Sequence, residues 1–443
     1  MSPTRRVLFM VGLVLAGEAV FSLPFHVTRY FRPTFLDVFG FSNSDLGRAQ
    51  AAYGVVAMVA YFPGGPLADR FPARILLVVS LLLTAGGGLY MATIPSVTGM
   101  ALLWAFWGGT TILLLWAALI RATREWGGTN SQGRAFGILD GGRGLVSALL
   151  AFFAAQAFTV LMPDNPEAAT SAERLSALQN IIYTYVAATA GTALFVWFAL
   201  PQGSDTPAKT SATKGLWAHV APVVRMPAIW LQAVIVVTAY VAYKGTDNYG
   251  LFARDVYGLD EVESAWISTV SAWVRPVAAL AAGWLADRVL SSRVVSGCFS
   301  VLVVTFSVLA LAPPTHGVLA VLVIEIVVAC IAVYGLRGVY FALFEEAAVP
   351  RAVTGTAVGI VSVVGYTPDI FVGLVSGHLL DTYPGLPGHR YFFLFLATTA
   401  ALGFLASVSF ARIARTQRAT QSASSSTAST VSSQAEGSAP GSP

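Results

Sequence analysis

Charge is scarce in this sequence. Only 11% of its 443 residues are charged, less than half of the roughly 25% usual in a soluble domain. With 56% of residues hydrophobic, a soluble globular chain is excluded. Cysteine is nearly absent. Cys298 and Cys330 cannot build a disulfide framework, stand at no metal-ligand spacing, and read as small buried residues inside apolar runs. Lysine is confined to Lys209, Lys214 and Lys244. A Walker loop, a Cys/His cluster, a Ser-His-Asp set and a nucleic-acid module are all missing. These absences predict a chain that is not an enzyme, carries no cofactor or metal, and binds no nucleic acid.

What the sequence has instead is long apolar runs. Twelve are long enough to cross a hydrocarbon core, which takes about 20 residues; they lie near 8–38, 46–68, 74–94, 97–121, 134–160, 178–200, 226–252, 262–287, 293–312, 317–343, 354–380 and 390–412. Backbone groups in lipid must pair within the segment, so an all-α membrane protein is expected, not a barrel. Basic residues set its orientation. With both termini cytoplasmic, sixteen fall inside, from Arg5, Arg6, Arg70 and Arg74 through Arg412, Arg415 and Arg418, and only Arg48, Arg174, Arg254 and Arg390 fall outside.

The chain repeats itself. GPLADRFPAR at 65–74 returns as GWLADRVLSSR at 283–293, an offset of 218 residues, and GRAFG at 133–137 returns as GTAVG at 355–359. That period far exceeds the roughly 20–50 residues of solenoids and reads as a duplicated domain. Two six-helix halves related by pseudo-two-fold symmetry follow, at 1–200 and 223–416. A Gly, Pro, Ser and Thr-rich stretch at 201–222 makes a cytoplasmic linker, and the Ser-rich tail at 417–443 is expected to be disordered. In each repeat Gly65 or Gly283 should let a neighbouring helix approach. Asp69 or Asp287 should cap another helix, near Thr354 or Arg134, and Arg70, Arg74 and Arg288 should hold the turn inside.

Six plus six helices, the paired Gly-x-Leu-Ala-Asp-Arg turns and the central linker resemble the major facilitator superfamily. Within it, RYFRPTFLDVFGFSNSDLG at 29–47, YVAYKGTDNYGLFARD at 240–255 and AAVPRAVTGTAVG at 347–359 are similar to the organic anion and phosphate antiporter branch. The resemblance implies a multi-pass transporter of a bacterial inner membrane, with a cavity between the halves that opens to each side in turn. It also implies that a basic residue of the first helix and one of the seventh hold an anionic substrate. Arg29 and Lys244 are the matching positions; His26 is an alternative to Arg29, and Lys stands where the family has Arg.

Ionisable groups at bilayer depth point the same way, since each costs about 2.5–3.5 kcal/mol on insertion scales. The cations are Arg29, Arg32, Arg143, Lys244, Arg275 and Arg337, and the acids are Glu18, Asp140, Asp247, Glu325 and Asp369. Asp140 with Arg143 and Lys244 with Asp247 stand at i,i+3 and can form local pairs. Arg337 could instead pair with Glu325 or Asp369. Candidate substrate contacts are Arg29, Tyr243, Lys244, Asn248, Arg275 and Arg337; candidate proton carriers are Glu18 and Asp369, with His26, His378 and His389 behind them. Trp104, Trp107 and Trp116 either line the cavity or pack. The expected function is movement of a small organic anion (organic phosphate, sugar acid or carboxylate) by proton symport or exchange, by a monomer in the bilayer. A proton-driven exporter of drug-like compounds and a transporter-like ligand sensor remain alternatives.

Overall fold

The computed structural model describes residues 2–128, 132–201, 221, 223–312, 314, 319–347 and 354–436. Among them, eleven helices are long and apolar enough to cross a membrane. In the first half these are α1 (Pro3–Tyr30), α2 (Asn43–Arg70), α3 (Ala73–Met91), α4 (Val97–Gly127), α5 (Gln132–Leu161) and α6 (Ser171–Ala199). The second half has α7 (Pro227–Tyr257), α8 (Glu261–Arg288), α9 (Ser291–Leu311), α10 (Leu319–Glu346), α11 (Thr354–Gly365 continued by Pro368–Thr382) and α12 (Leu386–Glu436). The twelfth span is α8, as long as α2 but diluted in hydropathy by Arg275, Pro276 and three tryptophans.

Helix ends repeat between the halves at the sequence offset. A short helix, Arg32–Phe39, follows α1 and stops at Gly40 with φ 62°, while α7 stops at Gly258 with φ 70°. Only glycine holds that left-handed cap at no steric cost. Two residues later, reciprocal capping boxes open the next helices, Ser42 with Asp45 for α2 and Asp260 with Glu263 for α8.

Prolines interrupt the helices where the site will form. Pro24 has no N–H to give, and α1 passes through a π-helical stretch at Ser22–His26. Pro33 forbids the bond to the Arg29 carbonyl, which is why the expected span 8–38 breaks at Phe31. Pro368 does the same to α11, leaving Tyr366 and Thr367 between its two pieces.

Each half packs its own apolar core, and the core of the first half takes in Leu251, Ala265, Ala272 and Leu380 of the second. The halves meet along α2 against α11 and α5 against α8. A Cβ at Gly47 would collide with the Gly373 carbonyl, and one at Gly377 would lie 2.6 Å from the Asn43 carbonyl oxygen. Close approach therefore happens here. It is not seen at Gly65 or Gly283, where a Cβ would meet no atom of the described residues within 4 Å; among the described residues those two glycines do not seat a neighbouring helix.

The tail also departs from expectation, because the α12 backbone stays helical to Glu436. Neither Pro nor Gly interrupts 417–436, so nothing in the covalent chain stops the helix there. The linker at 202–220, Arg351 and the side chains of Asp287, Thr354 and Arg418 lie outside the described residues.

Candidate functional site

Residues around the breaks in α1 and α11, together with Tyr240, Tyr243 and Lys244 of α7, surround a cavity between the two halves. Two charge clusters span it. In the first, the Glu18 carboxylate on α1 lies 3.0 Å from Arg275 on α8, 3.4 Å from Arg143 on α5 and 3.6 Å from His26. Arg143 also donates to the Gly17 carbonyl at 2.9 Å and reaches Asp140 at 3.5 Å. The expected Asp140 pair therefore exists, but Asp140 is its exposed end and Glu18 the buried one.

In the second cluster, Arg29 donates from Nε to Asp247 Oδ1 at 2.5 Å and from Nη1 to the Tyr243 hydroxyl at 3.0 Å. Arg29 and Asp247 stand 218 residues apart, the offset between the two copies, so residues related by the internal repeat bond each other across the halves. Lys244 Nζ lies 3.1 Å from Asp247 and 3.6 Å from Asp369, and the Tyr240 hydroxyl donates to both Asp369 oxygens at 3.0 and 3.2 Å.

Arg337 on α10 is different. Its guanidinium packs over the Tyr243 ring at 4.0 Å and the Tyr240 ring at 5.5 Å. It forms no ion pair among the described residues, and its Nη1 is buried without a hydrogen-bond partner. Pairing with Glu325 or Asp369, the structural alternative raised by the sequence, does not occur. Arg29, Arg143, Lys244, Arg275 and Arg337 thus face Glu18, Asp247 and Asp369, five cations against three carboxylates. An uncompensated charge in low dielectric is costly and attracts an opposite charge strongly.

Of the sequence candidates, Glu18, His26, Arg29, Tyr243, Lys244, Arg275, Arg337 and Asp369 line this cavity. Asn248 is buried beside it and does not line it. Trp116 lines it, whereas Trp104 and Trp107 are fully buried and donate to the carbonyls of Pro24 and Thr84 at 3.0 and 3.1 Å. His378 is exposed, and His389 meets Asp255 at 3.0 Å away from the cavity. Arg32 is buried outside the cavity, and Asp69 is exposed with no hydrogen bond or ion pair among the described residues.

One end of the interface is sealed. There Arg254 pairs with Asp37 at 2.9 Å, Arg174 with Glu261 at 2.8 Å, Trp266 donates to Thr159 at 3.1 Å, and Asp381 accepts from the start of α2. At the other end, around Asp69 and Arg134, no hydrogen bond or ion pair joins the halves among the described residues. Among the described residues, the two ends of the interface therefore differ in the bonds that cross them.

The sequence matches the Major Facilitator Superfamily over residues 7–368. The chain belongs to that superfamily. It is 26% identical over 415 residues to inner membrane protein YqcE of Escherichia coli strain K12, covering 92% of this chain and 94% of that protein. To inner membrane protein YihN of the same strain it is 26% identical over 407 residues, covering 89% and 93%. Its fold is similar to the nucleoside transporter NupG, with TM-score 0.68, 15% identity and coverage of 92% and 98%. A bacterial homolog of the human lysosomal transporter Spinster gives TM-score 0.68 and 15% identity over 93% and 99%. As a superfamily member the chain is a membrane transporter of a small molecule, not an enzyme, with twelve helices in two halves.

Sequence reasoning missed several wall residues of this cavity: Phe21, Phe25, Tyr53, Tyr61 and Tyr366. A signal existed for two of them. Tyr53 and Tyr61 are eight residues apart, just over two helical turns, and share one face of α2. Tyr366 gives no such signal, because it reaches the cavity only through the break before Pro368.

Proposed function

We propose that this chain is a secondary transporter of the inner membrane that carries a small organic anion by alternating access, coupled to protons or to exchange. The observation that carries the reading is Arg337, the cavity cation left without a carboxylate. Arg337 and Arg275 hold the anionic group, Tyr240 and Tyr243 supply directed hydroxyls, and Arg29 and Lys244 organise the acids around it. The aromatic wall of Phe25, Tyr53, Tyr61 and Tyr366 packs the rest of the substrate. An exporter of drug-like compounds would need acids to dominate the wall, and basic groups outnumber them.

Proton coupling falls to Glu18. Its carboxylate joins the halves through Arg275 at Oε1, and Arg143 Nε lies 3.4 Å from its Oε2. Protonation releases Arg275 to substrate and frees the halves to rock. By the distribution of Arg and Lys, the sealed end faces outward and the cavity opens to the cytoplasm. The relatives' description as inner membrane proteins supports the location.

Uptake into proteoliposomes of a panel of organic phosphates, sugar acids and short carboxylates tests the cargo. Saturable transport of at least one anion is expected; transport confined to neutral or cationic compounds would sink the reading. Glu18→Gln should abolish uptake driven by a pH gradient while sparing counterflow exchange, and loss of both to the same degree would remove Glu18 from coupling.

A further inference from the structure

The sealed end contains a second buried cation that forms no direct ion pair among the described residues. Arg32 opens the short helix after the break at Phe31 and is 3% exposed. Its Nη2 donates to Asn43 Oδ1 at 3.0 Å, its Nε has no partner, and it forms no ion pair among the described residues. Asn43 and Ser44 are the first residues of α2. Their backbone N–H groups, unpaired within the helix, donate to the two oxygens of Asp381 at 3.1 and 2.7 Å, and Asn43 Nδ2 adds a bond at 3.2 Å.

Asp381 belongs to α11, in the opposite half. A carboxylate from one half therefore occupies an anion cradle built entirely by the other: two helix N–H groups, one amide and a buried guanidinium behind it. The remaining local charges are engaged elsewhere. Asp45 accepts from Ser42 and pairs with Arg48 at 2.5 Å, Asp37 pairs with Arg254, and Asp255 with His389.

We infer that this cradle is an external anion site: when α11 swings away from α2 in the outward-open state, Asp381 leaves, and a carboxylate or phosphate group of a solute takes its place on Arg32, Asn43 and Ser44. Asp381 and the external anion compete for one site. An anion bound there holds the outer end open, and its departure toward the cavity lets Asp381 return and seal it. The inference rests on the proposed orientation and anionic cargo, and adds a first contact ahead of the cavity.

The test uses the full chain in nonionic detergent, so that no lipid headgroup competes, with Cys298 and Cys330 replaced by Ala. Spin labels sit at Glu167 and Tyr383, one on each half at the outer end, and inorganic phosphate is the probe. Phosphate should raise the long-distance population by about fivefold or more, the low end of ordinary coupling between sites. Arg32→Gln should abolish that response, Arg32→Lys should keep it at weaker affinity, and Arg337→Gln in the cavity should leave it intact. Asp381→Asn should raise the long-distance population before phosphate is added and tighten phosphate binding, because the competitor has lost its charge. No response in the parent protein, survival of the response in Arg32→Gln, or its loss in Arg337→Gln alone would overturn the proposal. If Arg32→Gln does not fold, unchanged phosphate affinity in Asp381→Asn overturns it instead. Intact phosphate response with no anion transported would reject the cargo and keep the site; anion uptake without the response would do the reverse.

Discussion

Arg337 and Asp247 mark the two extremes of charge in the cavity. Arg337 has no acid to satisfy it, so Arg337→Gln should leave the melting temperature unchanged or raise it. Uptake of the anion should fall at least about tenfold, equivalent to roughly 1.4 kcal/mol of lost binding. A thermal melt beside an uptake assay separates the two effects; a sharp drop in stability would mean that Arg337 has a hidden structural partner. Asp247 is held by both Arg29 and Lys244. Removing its charge strands the buried Arg29 and leaves Lys244 only the longer contact to Asp369 at 3.6 Å, and breaking a buried pair costs about 3–5 kcal/mol. Lys244→Gln leaves Asp247 with Arg29 and Asp369 with Tyr240, so Asp247→Asn should be the more destabilising by about 2 kcal/mol on the same scale. Equal losses in chemical denaturation would refute this ordering. The paired Lys244 and Asp247 were legible from their spacing, but Arg29 as the second partner of Asp247 was not, since spacing along one helix says nothing about another.

Between elements, the contact that decides the state is α2 against α11. Gly47, Gly373 and Gly377 let the two backbones touch at the sealed end, and a methyl group at Gly377 would have to displace the chain at Asn43. Overpacking of this kind costs about 1–3 kcal/mol. Gly377→Ala should therefore depopulate the sealed state and lengthen distances across the sealed end, with little loss of helicity. A distance distribution identical to that of the parent would show that α2 and α11 adjust without parting. Trp104 belongs to this scale too. It ties α4 to the π-helical turn of α1 through the Pro24 carbonyl, so Trp104→Phe should lower the melting temperature while leaving substrate affinity alone.

For the whole molecule, the sealed end is closed by ion pairs and a helix cap, the middle by Arg29 with Asp247 and Arg275 with Glu18, and the far end by nothing among the described residues. Asp69 has no hydrogen bond or ion pair among the described residues. If it caps a helix of the other half only when the end around Asp69 closes, Asp69→Asn should leave this conformation intact. It should also enlarge its population by up to about fivefold, the range for one charge at a helix terminus. Unchanged spectroscopic distances across that end would rule out the cap.

The sequence alone determined the class, the twelve spans, the duplication and the charged residues of the cavity, because these depend on local quantities: apolar length, helix caps, and the cost of each charge in lipid. It also located the glycines and prolines, but not which of them matter in this state; among the described residues nothing packs on Gly65, while Gly47 and Gly377 carry the contact. Only the tertiary structure decided which cation remains unpaired and which end is shut. Both are settled between residues in opposite halves, such as Arg29 with Asp247 and Ser44 with Asp381. Pairing across such separations depends on how two rigid bundles are docked. One sequence supports more than one docking, so no pattern along the chain encodes a single set of pairs.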